Sequence, residues 1–155
     1  MTQKDIHIDI HGPVAVVRLT RPAKRNALSD GLILAIRNVF ETLPETVRAA
    51  VLDGEGDHFC AGLDLSELKE RDAGQGLYHS RMWHAALERV QYGPVPVIAA
   101  LHGAVVGGGL ELASACHIRV ADESTFYALP EGSRGIFVGG GGAVRIPKLI
   151  GAARM

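Results

Sequence analysis

Cysteine is scarce in this chain: Cys60 and Cys116 are the only two among 155 residues, too few for a disulfide framework. Aromatic residues are nearly as sparse at 5%, which removes the stacking platforms that bind single-stranded nucleic acid. An excess of charge of one sign is missing too. Sixteen Lys and Arg stand against seventeen Asp and Glu, for a net charge of -1. With no basic run, neither a nucleic-acid face nor a basic membrane patch is expected. No apolar stretch approaches the roughly 20 residues that span a bilayer. Residues 1–5 lead into a strand-like alternation without a signal-peptide pattern. The expectation is a reducing cytoplasm, with no nucleic acid and no membrane as partners.

What is present is ordinary in amount and unusual in placement. Hydrophobic residues make up 47% and charged residues 21%, a soluble globular mix. A chain of this length suits one domain with a buried core. The 19 glycines are clustered, which suggests backbone approaching a ligand.

Ile6, Ile8 and Ile10 alternate with His7, Asp9 and His11, and Gly12-Pro13 then turns the chain into Val14–Leu19. This predicts a β-hairpin. After a polar loop at 21–26, Ser29 is placed to cap a helix. Leu32, Ile33, Ile36, Val39, Phe40 and Leu43 keep helical spacing until Pro44. A short strand over 48–52 follows, then a brief helix around Leu65 and Leu68, and 72–76 reads as a mobile connection. Helical spacing resumes over 77–90 with Trp83, Leu87 and Val90 facing in. Pro94 and Pro96 end it before a buried strand at Val97–Leu101. A helix over 110–115, strands over 117–121 and 125–127, and a helix from Ala143 behind four glycines complete the pattern. Strand-turn-helix units recur at 48–70 and 97–116, which predicts an α/β fold with helices packed on sheets. Residues 150–155 stop within a helical region, so the chain reads as cut short.

Two glycine-framed turns carry the chemistry. One is Phe59-Cys60-Ala61-Gly62-Leu63-Asp64-Leu65; the other runs from Gly103 through Gly107-Gly108-Gly109 to Glu111. Each sits where an apolar strand gives way to a helix. Backbone N–H groups from both, converging on one thioester oxygen, would form an oxyanion hole, with Glu111 one helical turn away. Glu131, between Pro130 and Gly132, supplies a second carboxylate. Paired carboxylates suit hydration of an activated double bond through an enolate. One takes a proton from water and the other gives one to the α-carbon, while burial and mutual repulsion drive their pKa values apart.

Each piece alone has a plainer explanation. The glycines would serve close helix–sheet packing or a phosphate cradle. Glu111 would suit a helix dipole, Glu131 a surface turn, and Asp64 with Glu67 a capping box. Other chemistries fit less well. The spacing of a dinucleotide fingerprint is not met. Ser114, with His102 or His117 as base, lies in a helix and not on an exposed elbow. The histidines and cysteines lack metal-ligand spacing, and Cys60 reads as buried filler.

Together, Arg21-Pro22, Asn26-Ala27-Leu28, the 59–65 and 103–111 segments and Pro130-Glu131 resemble the enoyl-CoA hydratase/isomerase (crotonase) superfamily, in the family's order and over most of the chain. The resemblance implies a crotonase-like spiral of repeated β-β-α units. Residues 1–155 would form a single crotonase-like domain, with the C-terminal helical part of the full family length missing. It implies oxyanion donors at the backbone N–H of Leu63 and Gly108, Glu111 activating water, and Glu131 exchanging the α-carbon proton. Ala23, Lys24, Ala61 and Leu63 would bind CoA.

Two glutamates imply an enoyl-CoA hydratase, a hydro-lyase of fatty acid metabolism. The alternatives are a double-bond isomerase using Glu131 alone and a non-catalytic acyl-CoA-binding or assembly subunit. No metal or redox cofactor is implied, CoA being part of the acyl-CoA substrate. The full-length assembly would be a homotrimer or hexamer. Residues 132–138 depart from the family pattern, and Ser133 and Arg134 are candidates to reshape the acyl pocket toward an aromatic or branched group.

Overall fold

The structure is a computed structural model that describes residues 2, 3 and 5–155. In chain order its elements are β1 (Thr2–Gln3), β2 (Ile6–His11), β3 (Val14–Leu19), α1 (Asp30–Glu41), β4 (Ala49–Gly54), α2 (Ala73–Tyr92), β5 (Val97–Leu101), β6 (Ala104–Val106), α3 (Gly108–Ala115), β7 (Ile118–Ala121), β8 (Phe126–Ala128) and α4 (Gly142–Ile150). The predicted hairpin forms with Ile6 opposite Leu19 and His11 opposite Val14. Gly12 takes φ +58° at its turn. From β3 onward the main sheet is parallel, in the order β1-β2-β3-β4-β5-β7. Each parallel step must cross over the sheet, and α1, α2 and α3 make the three crossings. A second, two-stranded sheet pairs β6 with β8 in parallel. Helices therefore pack on sheets, as the alternation predicts.

The burial pattern explains why these segments fold this way. β3 and β4 alternate half-buried and buried residues, so one face of the sheet enters the core. Val17, Leu19, Leu52, Val97 and Ala99 join Leu32, Ile33, Ile36 and Phe40 of α1 in one apolar cluster. α1 starts where Ser29 Oγ accepts from Leu32 N at 3.1 Å, the N-cap that its sequence signals.

Two local expectations are corrected. Residues 72–76 are not a mobile connection; α2 begins at Ala73. A reciprocal capping box fixes its start, with Gln75 N donating to Asp72 Oδ1 (2.8 Å) and Asp72 N donating to Gln75 Oε1 (3.2 Å). Gly74 and Gly76 conceal this start in the sequence because glycine weakens helical propensity. The second correction concerns Asp64 and Glu67. Asp64 caps the short 3-10 turn Leu65–Glu67 by accepting from Ser66 N. The Glu67 carboxylate, however, accepts from Asp30 N at 2.9 Å. Glu67 thus serves the start of α1, and no capping box forms at Asp64.

Asn26 ties the loop at 21–26 to the exit of β4. It is fully buried and left-handed at φ +54°. Its side-chain oxygen accepts from Arg21 N (2.9 Å), and its amide donates to Glu55 O (2.9 Å) and His58 O (2.8 Å). Asn26→Ala removes the partner of three backbone groups, from within a buried side chain, and loses a residue tolerant of positive φ. We expect a destabilisation of about 3 kcal/mol, seen as a lower urea midpoint with unchanged slope.

Candidate active site

The first turn is shaped by a bridge to the loop before α1. Leu28 N donates to Gly62 O (2.7 Å) and Asp64 N donates to Leu28 O (2.9 Å), a parallel bridge between Leu28 and Leu63. Such a bridge uses the groups flanking Leu63 and not its own N–H. Among the described residues the Leu63 N–H has no acceptor. Arg21 braces the turn from behind, pairing with Asp64 Oδ2 at 2.9 Å and Asp5 Oδ2 at 3.4 Å. The Ser66 hydroxyl first, and Arg21 second, hold the Asp64 carboxyl down at about 2. Asp64 is therefore a structural anion.

The second turn delivers its donor through a helix start. Gly107 takes φ +53° and ψ -122°, a conformation in effect reserved for glycine. Its N–H donates to Ala128 O at 2.9 Å. Gly108 then opens α3, where the first N–H groups have no intrahelical acceptor, and its N–H is unpaired among the described residues. The two turns meet backbone to backbone. A Cβ built on Gly62 would lie 2.7 Å from Val106 O and 3.1 Å from Gly108 N; one built on Gly108 would lie 3.5 Å from Leu63 N. Two unused N–H groups thus stand side by side.

Glu111 follows one turn along α3 and is 4% exposed. Its Oε1 accepts from Gly140 N (2.7 Å) and Gly142 N (2.9 Å). Burial pushes its carboxyl above the ordinary range; the two N–H groups and the Arg145 charge oppose that rise, and the Glu131 charge adds to it. Glu131 opens the 3-10 turn Glu131–Arg134 and is 7% exposed. Its Oε2 is buried and has no hydrogen-bond partner among the described residues. Its Oε1 abuts Gly107, where a Cβ would come within 2.8 Å of it.

Leu63, Gly108, Glu111 and Glu131 line one cleft of about 400 Å³, walled by Leu68, Trp83, Ile136 and Phe137. Asp30 fixes the Trp83 wall: its Oδ1 accepts from Trp83 Nε1 at 3.2 Å and bonds His79 Nε2 at 2.7 Å. A groove of about 470 Å³ brings together Lys24, Ala61 and Leu63 with Arg25 and Arg134. Ala23 lies in the adjacent 3-10 turn Pro22–Lys24 but does not line the groove. Arg134 stands in the groove with Lys24, and Ser133 turns its hydroxyl to Pro130 O at 2.7 Å. Neither lines the main cleft, where Ile136 and Phe137 shape the wall instead.

The sequence pattern missed Arg25, Trp83 and the two N–H groups of Gly140 and Gly142 as site members. The run of four glycines was the available signal for the last pair. No group of three or more His, Cys, Asp or Glu that would hold a metal occurs among the described residues. Burial pushes the Cys60 and Cys116 thiols up to about 12, so neither is poised as a nucleophile.

The raised Glu111 carboxyl has a consequence for stability. The folded chain binds that proton more tightly than the unfolded one. Its contribution is full below the ordinary glutamate range and is lost as pH rises through the raised value. Glu111→Gln keeps an acceptor for both glycine N–H groups and removes the titration. We expect the thermal midpoint of the parent to fall relative to that of the variant as pH rises above the ordinary glutamate range.

A mixed sheet flanked by crossover helices, with a small second sheet bringing two backbone turns together, is the crotonase fold. The chain belongs to the enoyl-CoA hydratase/isomerase family, whose model matches residues 9–155. A Rhodopseudomonas palustris protein provisionally assigned as an enoyl-CoA hydratase is similar in structure. It shares 62% identity and a TM-score of 0.96 over 98% of this chain and 59% of its own. The short-chain-enoyl-CoA hydratase of Clostridium acetobutylicum is 34% identical over 97% of this chain and 59% of its length. A Thermobifida fusca protein, also provisionally an enoyl-CoA hydratase and solved with acetoacetyl-CoA, shares 26% identity and a TM-score of 0.84 over 97% of this chain and 63% of its own. The chain spans little more than half the length of these relatives. Among the described residues no helix is long and apolar enough to cross a membrane.

Proposed function

We propose that this chain carries the active site of an enoyl-CoA hydratase, a hydro-lyase adding water across a 2-enoyl-CoA. The observation that carries the reading is the cleft itself: two unused backbone N–H groups side by side, and two buried carboxyls lining the same space. The thioester oxygen would sit at Leu63 N and Gly108 N. There each donor is worth on the order of 3 kcal/mol to the enolate-like transition state. Glu111, with Oε1 engaged by Gly140 and Gly142, has no donor to its other oxygen among the described residues, and that oxygen takes a proton from water. A carboxyl raised toward neutrality is a stronger base for that step. Water oxygen bonds to the β-carbon, the electron pair moves onto the thioester oxygen, and Glu131 delivers the α-carbon proton.

Lys24, Arg25 and Arg134 give the neighbouring groove the positive charge that CoA phosphates require, with Ala61 and Leu63 backbone at its inner edge. The Thermobifida relative holds a ligand of this chemical class. A reducing cytoplasm suits the two free thiols, and a homotrimer or hexamer is our expectation for the full-length assembly.

The test is the loss of enoyl-thioester absorbance on mixing with crotonyl-CoA and longer or aryl 2-enoyl-CoAs. Hydration of any of them supports the reading. Migration of the double bond without water uptake, retained in Glu111→Gln, would move the assignment to an isomerase working through Glu131. Binding without either reaction would leave an acyl-CoA-binding subunit.

A further inference from the structure

We propose that Arg145 is a positioning residue for Glu111, acting through the glycine run 139–142 without touching the substrate. The inference rests on the hydratase reading for its meaning, because there Glu111 is the group that activates water. Arg145 lies on α4 and is held from two sides. Its Nε donates to Gln91 Oε1 of α2 at 2.6 Å, and its Nη1 donates to the Gly140 carbonyl at 2.9 Å. The same Gly140 donates its N–H to Glu111 Oε1 at 2.7 Å, and Gly142 adds a second bond to that oxygen at 2.9 Å.

Gly141 makes this convergence possible. At φ +96° it reverses the chain so that the N–H groups on either side point to one acceptor. Its carbonyl accepts from Val144 N and Arg145 N, each at 3.1 Å, which welds the loop to the first turn of α4. A continuous series, Gln91 to Arg145 to Gly140 to Glu111, thereby links α2, α4 and α3 behind the carboxylate. Glu111 Oε1 is fixed by the loop, and its other oxygen is left to the cleft.

The charges agree with this role. Arg145 is half-buried, and among the described residues no carboxylate is in ion-pair contact with it. A cation bonded only to neutral acceptors is costly to bury, and the anion it favours is Glu111. The Glu131 charge, from the 3-10 turn, opposes its ionisation; around Arg145, His84 of α2 lies against Gly141, and Glu88 and Lys148 line the same surface pocket. Arg145 thus supplies both orientation, through Gly140, and a field that keeps Glu111 able to act as base.

The experiment compares Arg145→Gln, Arg145→Lys and Gln91→Leu, each checked for fold by circular dichroism. The Glu111 carboxyl is followed by infrared titration, with Glu111→Gln in each background as the difference reference. In Arg145→Gln the Glu111 titration is expected to move to higher pH. kcat should fall about tenfold with KM within about twofold, the pattern of a misplaced base, and the acid limb of the pH–rate profile should move with it. Arg145→Lys restores the titration position but only part of kcat, because the ammonium cannot reproduce the fork between Gln91 and Gly140. A folded Arg145→Gln in which Glu111 titrates as in the parent overturns the proposal. If that variant does not fold, Gln91→Leu decides, since it keeps the charge and frees the guanidinium. A lowered kcat at constant KM supports the role, and parent-like kcat overturns it. The infrared readout needs no turnover, so a failure of the hydratase reading is told apart from a failure of this one.

Discussion

Replacing Glu131 with Gln should reduce turnover of a 2-enoyl-CoA by roughly a thousandfold, while acyl-CoA affinity changes by less than about threefold. The substitution is nearly isosteric at a site where space is tight, since Glu131 Oε1 already abuts Gly107. On the proposed function it removes the proton that the α-carbon would receive and leaves the unused N–H groups of Leu63 and Gly108 where they are. On the same reading, binding energy from CoA would arise in the separate groove of Lys24, Arg25 and Arg134 and should survive. Calorimetry with a non-reactive acyl-CoA, set beside the absorbance assay, separates the two quantities. Residual turnover within tenfold of the parent would remove Glu131 from the chemistry. Loss of binding in parallel would make it a packing residue.

Gly62→Ala should damage the fold and the chemistry together. At φ +91° an L side chain costs about 1–2 kcal/mol. The added methyl would also sit 2.7 Å from Val106 O and 3.1 Å from Gly108 N. Both neighbours are backbone, so neither can rotate aside, and the two turns must separate. We expect a loss of about 3 kcal/mol in unfolding free energy. kcat should drop about a hundredfold as the Leu63 and Gly108 donors part, the scale of losing one oxyanion donor. Gly132→Ala is the contrast for stability. A Cβ there meets nothing within 4 Å, and Gly132 is not among the positive-φ glycines, so its unfolding midpoint should match the parent's. A Gly62→Ala variant as stable as Gly132→Ala would contradict the close approach of the turns.

What could be read from the sequence was local. The β2–β3 hairpin and α1 follow from alternation, helical spacing and one N-cap, all set within a few residues of one another. The start of α2 was hidden because Gly74 and Gly76 lower helical propensity while a capping pair outweighs them. The Leu28–Leu63 and Cys60–Val105 bridges join residues with no periodic relation. No spacing rule could have placed Leu63 N beside Gly108 N. Glu111 and Glu131 could be paired only by the chemistry of two carboxylates, and their separate roles only by the family resemblance, as they lie on different elements 20 residues apart. The grip of Gly140 and Gly142 on Glu111 spans 29 and 31 residues and depends on a loop whose path only tertiary packing defines. Arg134, a candidate to reshape the acyl pocket, lines the groove with Lys24 and Arg25 and not the main cleft.

Cys60 turns the first of the two loops into something that can be timed. Its sulfur is enclosed behind that loop, donating to Asn26 O and accepting from Gly62 N, and it is inert while the loop is closed. A thiol reagent can therefore label it only during the moments when that loop opens. At low reagent, labelling measures how often the open form occurs; at saturating reagent, it measures how fast the form is reached. Cys116, enclosed at the far end of α3, gives the same reading for the helix that carries Glu111. Two native thiols thus provide a pair of internal clocks, one for the first turn and one for the helix that carries Glu111, with no engineered probe.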